Sequence, residues 1–211
     1  AAAEKMDFAA AVQHAEVARR QGLEEPELDY RLGRWLFRSG KAKESVDAFD
    51  KYLREVPRRS NSLWERGISC YYAGQFKAGS AQFESYQKYH NNDVENAVWR
   101  YLCQSRFDGK EKARQAILPI RNDRRVPMME IYRLFKGELS PQDVLDALKQ
   151  SNANGQQAKI NALHAHLYLG LYYESEGQDE MAAKQIAQAV SQFKAGGYMW
   201  FVAVVHHKKS Q

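Results

Sequence analysis

Apolar residues recur along the chain at helical spacing, and one stretch carries the same pattern twice. Gly33, Gly40, Phe49 and Tyr52 reappear as Gly67, Gly74, Phe83 and Tyr86, each displaced by 34 residues. Two helix pairs are predicted from this pattern. The first joins 26–38 to 41–55 and opens at Pro26, whose missing N–H costs nothing in a first helical turn. The second joins 60–73 to 76–89. Gly40 and Gly74 suit the left-handed backbone that ends a helix. Gly33 and Gly67 have no side chain, so the second helix of each pair can come close to the first, with Phe49 and Phe83 filling the space between. Pro57 stops the second helix of the first pair.

The rest of the chain extends this frame and then departs from it. Phe8, Val12 and Ala15 share one face of a helix expected over 6–20 and stopped by Gly22. Ala11, Ala15 and Ala18 stand 34 residues before Ser45, Phe49 and Tyr52, so this helix reads as the second half of an incomplete unit, a cap. A third unit starts at Val94, with Ala113, Ile117 and Ile120 expected on its second helix. Tyr101 replaces the glycine there, so that pair should sit further apart or cross differently. Pro119, Val126 and Pro127 end the regularity. Two short helices are expected over 128–135 and 140–150, the latter started by Ser140, Pro141 and Asp143. After the turn-rich 151–155, Leu169-Gly170 and Gly177 repeat the spacing of Leu32-Gly33 and Gly40, followed by Ala182, Ile186 and Ala189. Gly196-Gly197 is expected to close that helix, and a last helix over 198–207 to cover the open end.

A 34-residue period with glycine inside one helix and again at its end resembles the tetratricopeptide repeat (TPR) family. The departures are Asp29 at a position where the family prefers a large apolar residue, Arg66 before the glycine, and Gly79 where alanine or serine is usual. The resemblance implies an all-α, right-handed TPR-type superhelix of about eleven or twelve helices, a single domain over 1–211. Its parts would be a capping helix in 1–25, repeats at 26–59 and 60–93, a divergent repeat with irregular helices at 94–155, a C-terminal repeat at 156–197, and a capping helix at 198–211. It also implies a concave face lined by the first helix of each repeat. Counted from Pro26, Ser60 and Val94, that face comprises Tyr30, Arg34, Phe37 and Arg38, then Asn61, Trp64, Ile68, Tyr71 and Tyr72, then Val98, Leu102 and Arg106. Aromatic residues interleaved with arginine are the material of protein-binding hot spots. The lysine and asparagine pattern with which chaperone-tail receptors of this family clamp a carboxylate is absent, since Tyr30, Arg34 and Ile68 occupy three of its places.

Composition narrows the picture only a little. Apolar residues make up 44% and charged residues 27%, ordinary values for a soluble globular chain. The longest apolar run, 198–205, cannot span a bilayer. The net charge of +5 comes without dense basic runs, so nucleic acid is not the expected partner. Arg121, Arg124 and Arg125, interrupted by Asp123, read as a solvated loop. Cys70 and Cys103 are expected to be buried free thiols. No HExxH, phosphate-cradling glycine loop, GxSxG or zinc-spaced cluster occurs, so no enzyme, metal or cofactor is expected. His164 and His166, two apart on a helix, face different ways. His206 and His207 precede Lys208 and Lys209 at a helix end, where cations complement the dipole. Asp29, Glu65 and Glu95 are expected to be solvated carboxylates.

A more specific resemblance spans about 27–207. Its markers are Trp64-Glu-Arg-Gly-Ile68 with Tyr71-Tyr72-Ala-Gly74, then Asn92-Asp93 leading into Trp99-Arg-Tyr-Leu102, the 132–139 stretch, and His166-Leu-Tyr-Leu-Gly-Leu-Tyr-Tyr173 with Gly177. In these it is similar to the NlpI family of bacterial lipoproteins and their exported TPR relatives. That resemblance implies an all-helical scaffold, homodimeric in the family, that holds a protease and cell-wall hydrolases together, and it suggests an exported or periplasmic setting. The start Ala1-Ala2-Ala3 is compatible with a removed export signal or with trimming. The function expected is a non-catalytic adaptor that binds a protein or peptide on the concave face. The competing reading is a basic helical-repeat regulator associated with RNA, suggested by Arg34, Arg38 and Arg106.

Overall fold

The structure is a computed structural model that describes residues 7–23, 25–192 and 196–210. Among these the regular elements are twelve α-helices and one 3₁₀ turn, with no strand. The chain forms two compact units, Ala1–His90 and Asn91–Gln211. No helix among the described residues is long and apolar enough to cross a membrane.

The N-terminal unit comprises α1 (Phe8–Arg20), α2 (Pro26–Arg38), α3 (Ala42–Glu55), a 3₁₀ turn (Pro57–Arg59), α4 (Trp64–Tyr72) and α5 (Phe76–Tyr89). Asp7 caps α1 by accepting the Ala10 N–H at 3.0 Å. Two hairpins, α2/α3 and α4/α5, are built alike. A Cβ at Gly33 would lie 2.7 Å from the Phe49 ring, and one at Gly67 would lie 2.6 Å from the Phe83 ring. The absent side chain is therefore what allows each ring to rest on the facing helix, and both rings are fully buried. Each first helix ends on a left-handed glycine, Gly40 at φ 81° and Gly74 at φ 76°. The next N–H then reaches back five residues, from Lys41 to the Leu36 carbonyl at 2.9 Å and from Gln75 to the Cys70 carbonyl at 2.8 Å, a Schellman closure in both hairpins.

Helix α4 starts at Trp64, later than the expected 60. Pro57 opens the 3₁₀ turn, and Ser60–Leu63 stays in a turn whose Ser60 carbonyl accepts from Gln82 Nε2 at 2.7 Å. Residue 6 of the helix expected over 6–20 lies outside the described residues.

The C-terminal unit comprises α6 (Val94–Asp108), α7 (Lys110–Gln115), α8 (Met128–Phe135), α9 (Pro141–Gln150), α10 (Gly155–Ser175), α11 (Asp179–Ser191) and α12 (Gly197–Lys209). The α10/α11 hairpin repeats the N-terminal design with an aliphatic partner. A Cβ at Gly170 would meet Ile186 at 2.6 Å, and Gln178 closes on the Tyr173 carbonyl at 2.8 Å. Where the glycine is missing, the hairpin changes. Tyr101 is fully buried and meets Phe135 of α8 edge-on, with ring centroids 5.2 Å apart. The facing helix α7 stops at Gln115, so Ile117 and Ile120 lie beyond it, contrary to the sequence expectation. Pro119 disfavours helix in the residue before it and supplies no N–H. Ile120 instead donates its N–H to the Tyr132 hydroxyl at 3.3 Å.

Helix α9 opens with a full capping box between Ser140 and Asp143. Helix α11 ends at Ser191, ahead of the expected glycine pair, and 193–195 lie outside the described residues. Helix α12 packs on α11 and α10 through the buried Tyr198, Val202, Ala203 and Val205.

Candidate functional site

The surface that combines aromatic and cationic groups in the N-terminal unit lies on one stripe of α2. Tyr30, Arg34 and Arg38 are four residues apart, so successive members stand only about 40° round the helix from one another. All three are half-buried. The Tyr30 ring packs against Phe49 and Tyr52, at centroid distances of 6.1 and 5.4 Å. Its hydroxyl donates to Glu65 Oε1 of α4 at 2.9 Å. Burial, reinforced by the Glu65 charge and hydrogen bond, pushes the phenol up to about 12, with Arg34 and Arg59 acting in the opposite sense. Arg34 lies over the Tyr30 ring, 5.6 Å from its centre, and donates to its hydroxyl at 3.5 Å. Arg38 lies over Phe8 of α1 at 5.1 Å. Both guanidiniums thus rest on aromatic faces, an arrangement that holds the charge in place while leaving part of it towards water.

Trp64 is half-buried at the first turn of α4, and Asn61 is exposed in the turn before it, accepting from the Ser85 hydroxyl. Other residues expected on the same face are core. Phe37, Ile68, Tyr71 and Tyr72 are 0–8% exposed. Phe37 meets Tyr72 at 5.4 Å and Tyr72 meets Tyr71 at 5.3 Å, both edge-on, so these rings are interior packing rather than surface for a partner. In the C-terminal unit Val98 and Leu102 are buried to 0–1% exposure as well, whereas Arg106 is exposed and pairs with Glu174 at 3.2 Å. The surface set is therefore Tyr30, Arg34, Arg38, Asn61 and Trp64 on the N-terminal unit, with Arg106 on the other.

The three carboxylates expected to be solvated have specific partners. Asp29 is 3% exposed and sits between Arg19 of α1, at 3.5 Å, and Lys51 of α3, at 3.1 Å. Glu65 is 5% exposed and holds Tyr30. Glu95 accepts from Arg125 and from the Tyr168 hydroxyl, the latter at 2.8 Å. Arg125 lies exposed in a loop, as expected, but it also pairs with Asp123 and, at 2.7 Å, with Asp93, so it is a hub as well as a solvated residue. Burial, with the Glu95 charge, raises the Asp93 carboxyl against the pull of Arg125. Burial also opposes ionisation of Asp123, but its hydrogen bond and charge contact with Arg125 prevail and lower it. Trp99 Nε1 donates to the Tyr168 hydroxyl at 3.2 Å, which carries this network into the core of the C-terminal unit.

His166 Nδ1 bonds Gln185 Oε1 at 2.6 Å, and burial lowers its basicity, while His164 lies buried beside Tyr168. Cys70 and Cys103 are free and fully buried, as expected, and burial pushes the Cys70 thiol up to about 11. Among the described residues no group of three or more His, Cys, Asp or Glu side chains could hold a metal ion. No protein-family model matches the chain.

Proposed function

We propose that this chain is a non-catalytic adaptor of the TPR type that binds a partner protein or peptide through the aromatic and arginine face of its N-terminal unit. The observation that carries the reading is the α2 stripe, where Arg34 and Arg38 are each laid over an aromatic ring at a half-exposed site. Such side chains lose little further freedom when a partner covers them, and arginine, tyrosine and tryptophan are the types in which binding energy concentrates. Repetition of one hairpin design at α2/α3, α4/α5 and α10/α11 supports the TPR assignment. The resemblance to NlpI-type lipoproteins makes an exported scaffold, dimeric in its working state, the specific form of the proposal.

The test is photo-crosslinking from a benzoylphenylalanine placed at the exposed Asn61, compared with one at the exposed Glu44 of α3, which lies beside Leu32 and Leu36 on the side of α2 away from Tyr30 and Arg34. A protein adduct formed from position 61 and weak from 44 is the expected outcome. Adducts of equal yield from both positions, or adducts to RNA alone, would remove the proposal.

A further inference from the structure

Of the chain's asparagines, Asn154 alone is followed by glycine. The pair opens the 21-residue helix α10, with Asn154 as its N-cap and Gly155 as its first residue, and both are exposed. Asparagine is a favoured N-cap because its side-chain oxygen accepts an early helical N–H. Asn154 makes no such bond, so its amide stays in solvent. Other asparagines are held in place. The Asn92 side-chain oxygen accepts the N–H groups of Arg121 and Asn122 at 3.1 and 2.9 Å, Asn61 accepts from the Ser85 hydroxyl, and Asn161 is 3% exposed.

The backbone beside the Asn154 amide is open as well. The Gly155 N–H is among the first four of the helix, which have no intrahelical partner, so its nitrogen can react without losing a helical bond of its own. Closing a ring from this nitrogen to Asn154 Cγ requires the intervening peptide plane to turn, which moves Asn154 away from ψ 171° and Gly155 away from φ 54°. Glycine has no Cβ to resist that turn, and nothing lies within 4 Å of where one would stand. The helical bond that turns with the plane, from the Ala158 N–H to the Asn154 carbonyl, is long at 3.3 Å and belongs to a helix end, where fraying is usual.

We propose that Asn154–Gly155 is a self-modification site of the folded protein, at which the asparagine converts to aspartate and isoaspartate through a cyclic imide. The Gly155 nitrogen, its proton lost to hydroxide, attacks Asn154 Cγ. An N–Cγ bond forms, the Cγ–Nδ2 bond breaks, and the amide nitrogen leaves as ammonia. Water then opens the imide. Breaking the new N–Cγ bond gives aspartate. Breaking the bond from the Asn154 backbone carbonyl carbon to Gly155 N gives isoaspartate, which routes the main chain through the former side chain. Either product adds a negative charge at the N-terminal end of α10, where the helix dipole favours it. Aspartate is also a strong N-cap and tightens the first turn, whereas isoaspartate lengthens the main chain there and loosens it.

The test incubates the full chain at neutral pH and body temperature, beside a synthetic peptide of residues 150–159, which is also the tryptic fragment between Lys149 and Lys159. By the time half of the free peptide has converted, the fragment cut from the folded chain should be one mass unit heavier at position 154 in a substantial fraction. It should elute as two isomers, one of them methylated by an isoaspartyl methyltransferase. Asn152, in the same fragment but followed by alanine, should stay unchanged. Asn154→Gln, whose longer side chain closes the ring poorly, should abolish the change without altering the circular dichroism spectrum. Asn154→Asp should raise the urea midpoint above that of fresh wild type. An unmodified position 154 in the folded chain after the peptide has half converted would overturn the proposal, as would equal conversion at 152 and 154. An Asn154→Asp protein less stable than wild type would overturn the capping consequence.

Discussion

The contact between Gly67 and Phe83 can be turned into a number. A Cβ built on Gly67 would lie 2.6 Å from Phe83 Cζ and 2.9 Å from each Cε, closer than carbon atoms approach in folded proteins. Phe83 is 1% exposed, so its ring has no solvent to retreat into. Forcing a methyl into such a contact costs about 1–3 kcal/mol, and exchanging a mid-helix glycine for alanine returns up to about 1 kcal/mol of helix propensity. Gly67→Ala should therefore destabilise by about 0–3 kcal/mol net. Gly67→Leu drives further carbons into the same ring and should cost at least about 1 kcal/mol more than alanine.

Because the clash is with one ring, shrinking that ring should relieve it. The cost of Gly67→Ala made in a Phe83→Leu background should fall by about 1 kcal/mol, a coupling that two independent sites would not show. Gly74→Ala is the control: no atom lies within 4 Å, but φ is +76°, so its cost of about 1–2 kcal/mol should not respond to Phe83. Urea unfolding followed by circular dichroism measures all of these. A Gly67→Leu protein as stable as wild type, or strict additivity of Gly67→Ala with Phe83→Leu, would refute the assignment of this glycine to the close helix contact.

Three further predictions test other parts of the molecule. Cys70 and Cys103 should react slowly with a thiol reagent in native protein and rapidly in denaturant, because both are buried and the Cys70 thiol is pushed up to about 11; fast native labelling would contradict this. Burial lowers the basicity of His206, so the unfolded chain takes up its proton first and stability should fall as pH drops through about 6.5. His206→Gln should flatten that part of the stability curve, and an unchanged slope would show that His206 is not the group responsible. Ser140→Ala should cost about 1 kcal/mol by removing the cap of α9, and a loss below about 0.3 kcal/mol in urea unfolding would show the capping box contributes little.

Helix positions were legible where a local signal marks both ends. Pro26 and Gly40 bracket α2, and Gly74 with the apolar spacing after Phe76 brackets α5, and both helices run between the expected residues. The glycine and phenylalanine pairs were legible because both partners recur at one period. Failures occurred where the deciding contact is long-range. Helix α7 stops at Gln115, short of the Ile117 and Ile120 positions, and Tyr101 packs on Phe135 of α8, a contact that the spacing within α6 does not encode. Ile68, Tyr72, Val98 and Leu102 were expected on a surface, since periodicity identifies a face of a helix without showing whether another element covers it. Asp29 was visible as a polar residue in an apolar place, but its partners Arg19 and Lys51 come from two other helices. The bond from Tyr30 to Glu65 joins residues far apart in sequence, and nothing local to either one announces it.

The most direct test of the proposed adaptor role is the affinity of the partner captured at position 61 for wild type, Trp64→Ala and Arg38→Ala, measured by calorimetry at two salt concentrations beside the melting temperature of each protein. Trp64→Ala should weaken binding by about 2 kcal/mol or more with little change in melting, since only a half-buried ring is removed. Arg38→Ala should lose affinity mainly at low salt, as expected of a charge that guides association. Unchanged affinity in both variants, or a Trp64→Ala protein that unfolds while its residual folded fraction binds normally, would contradict the account and move the partner away from this face.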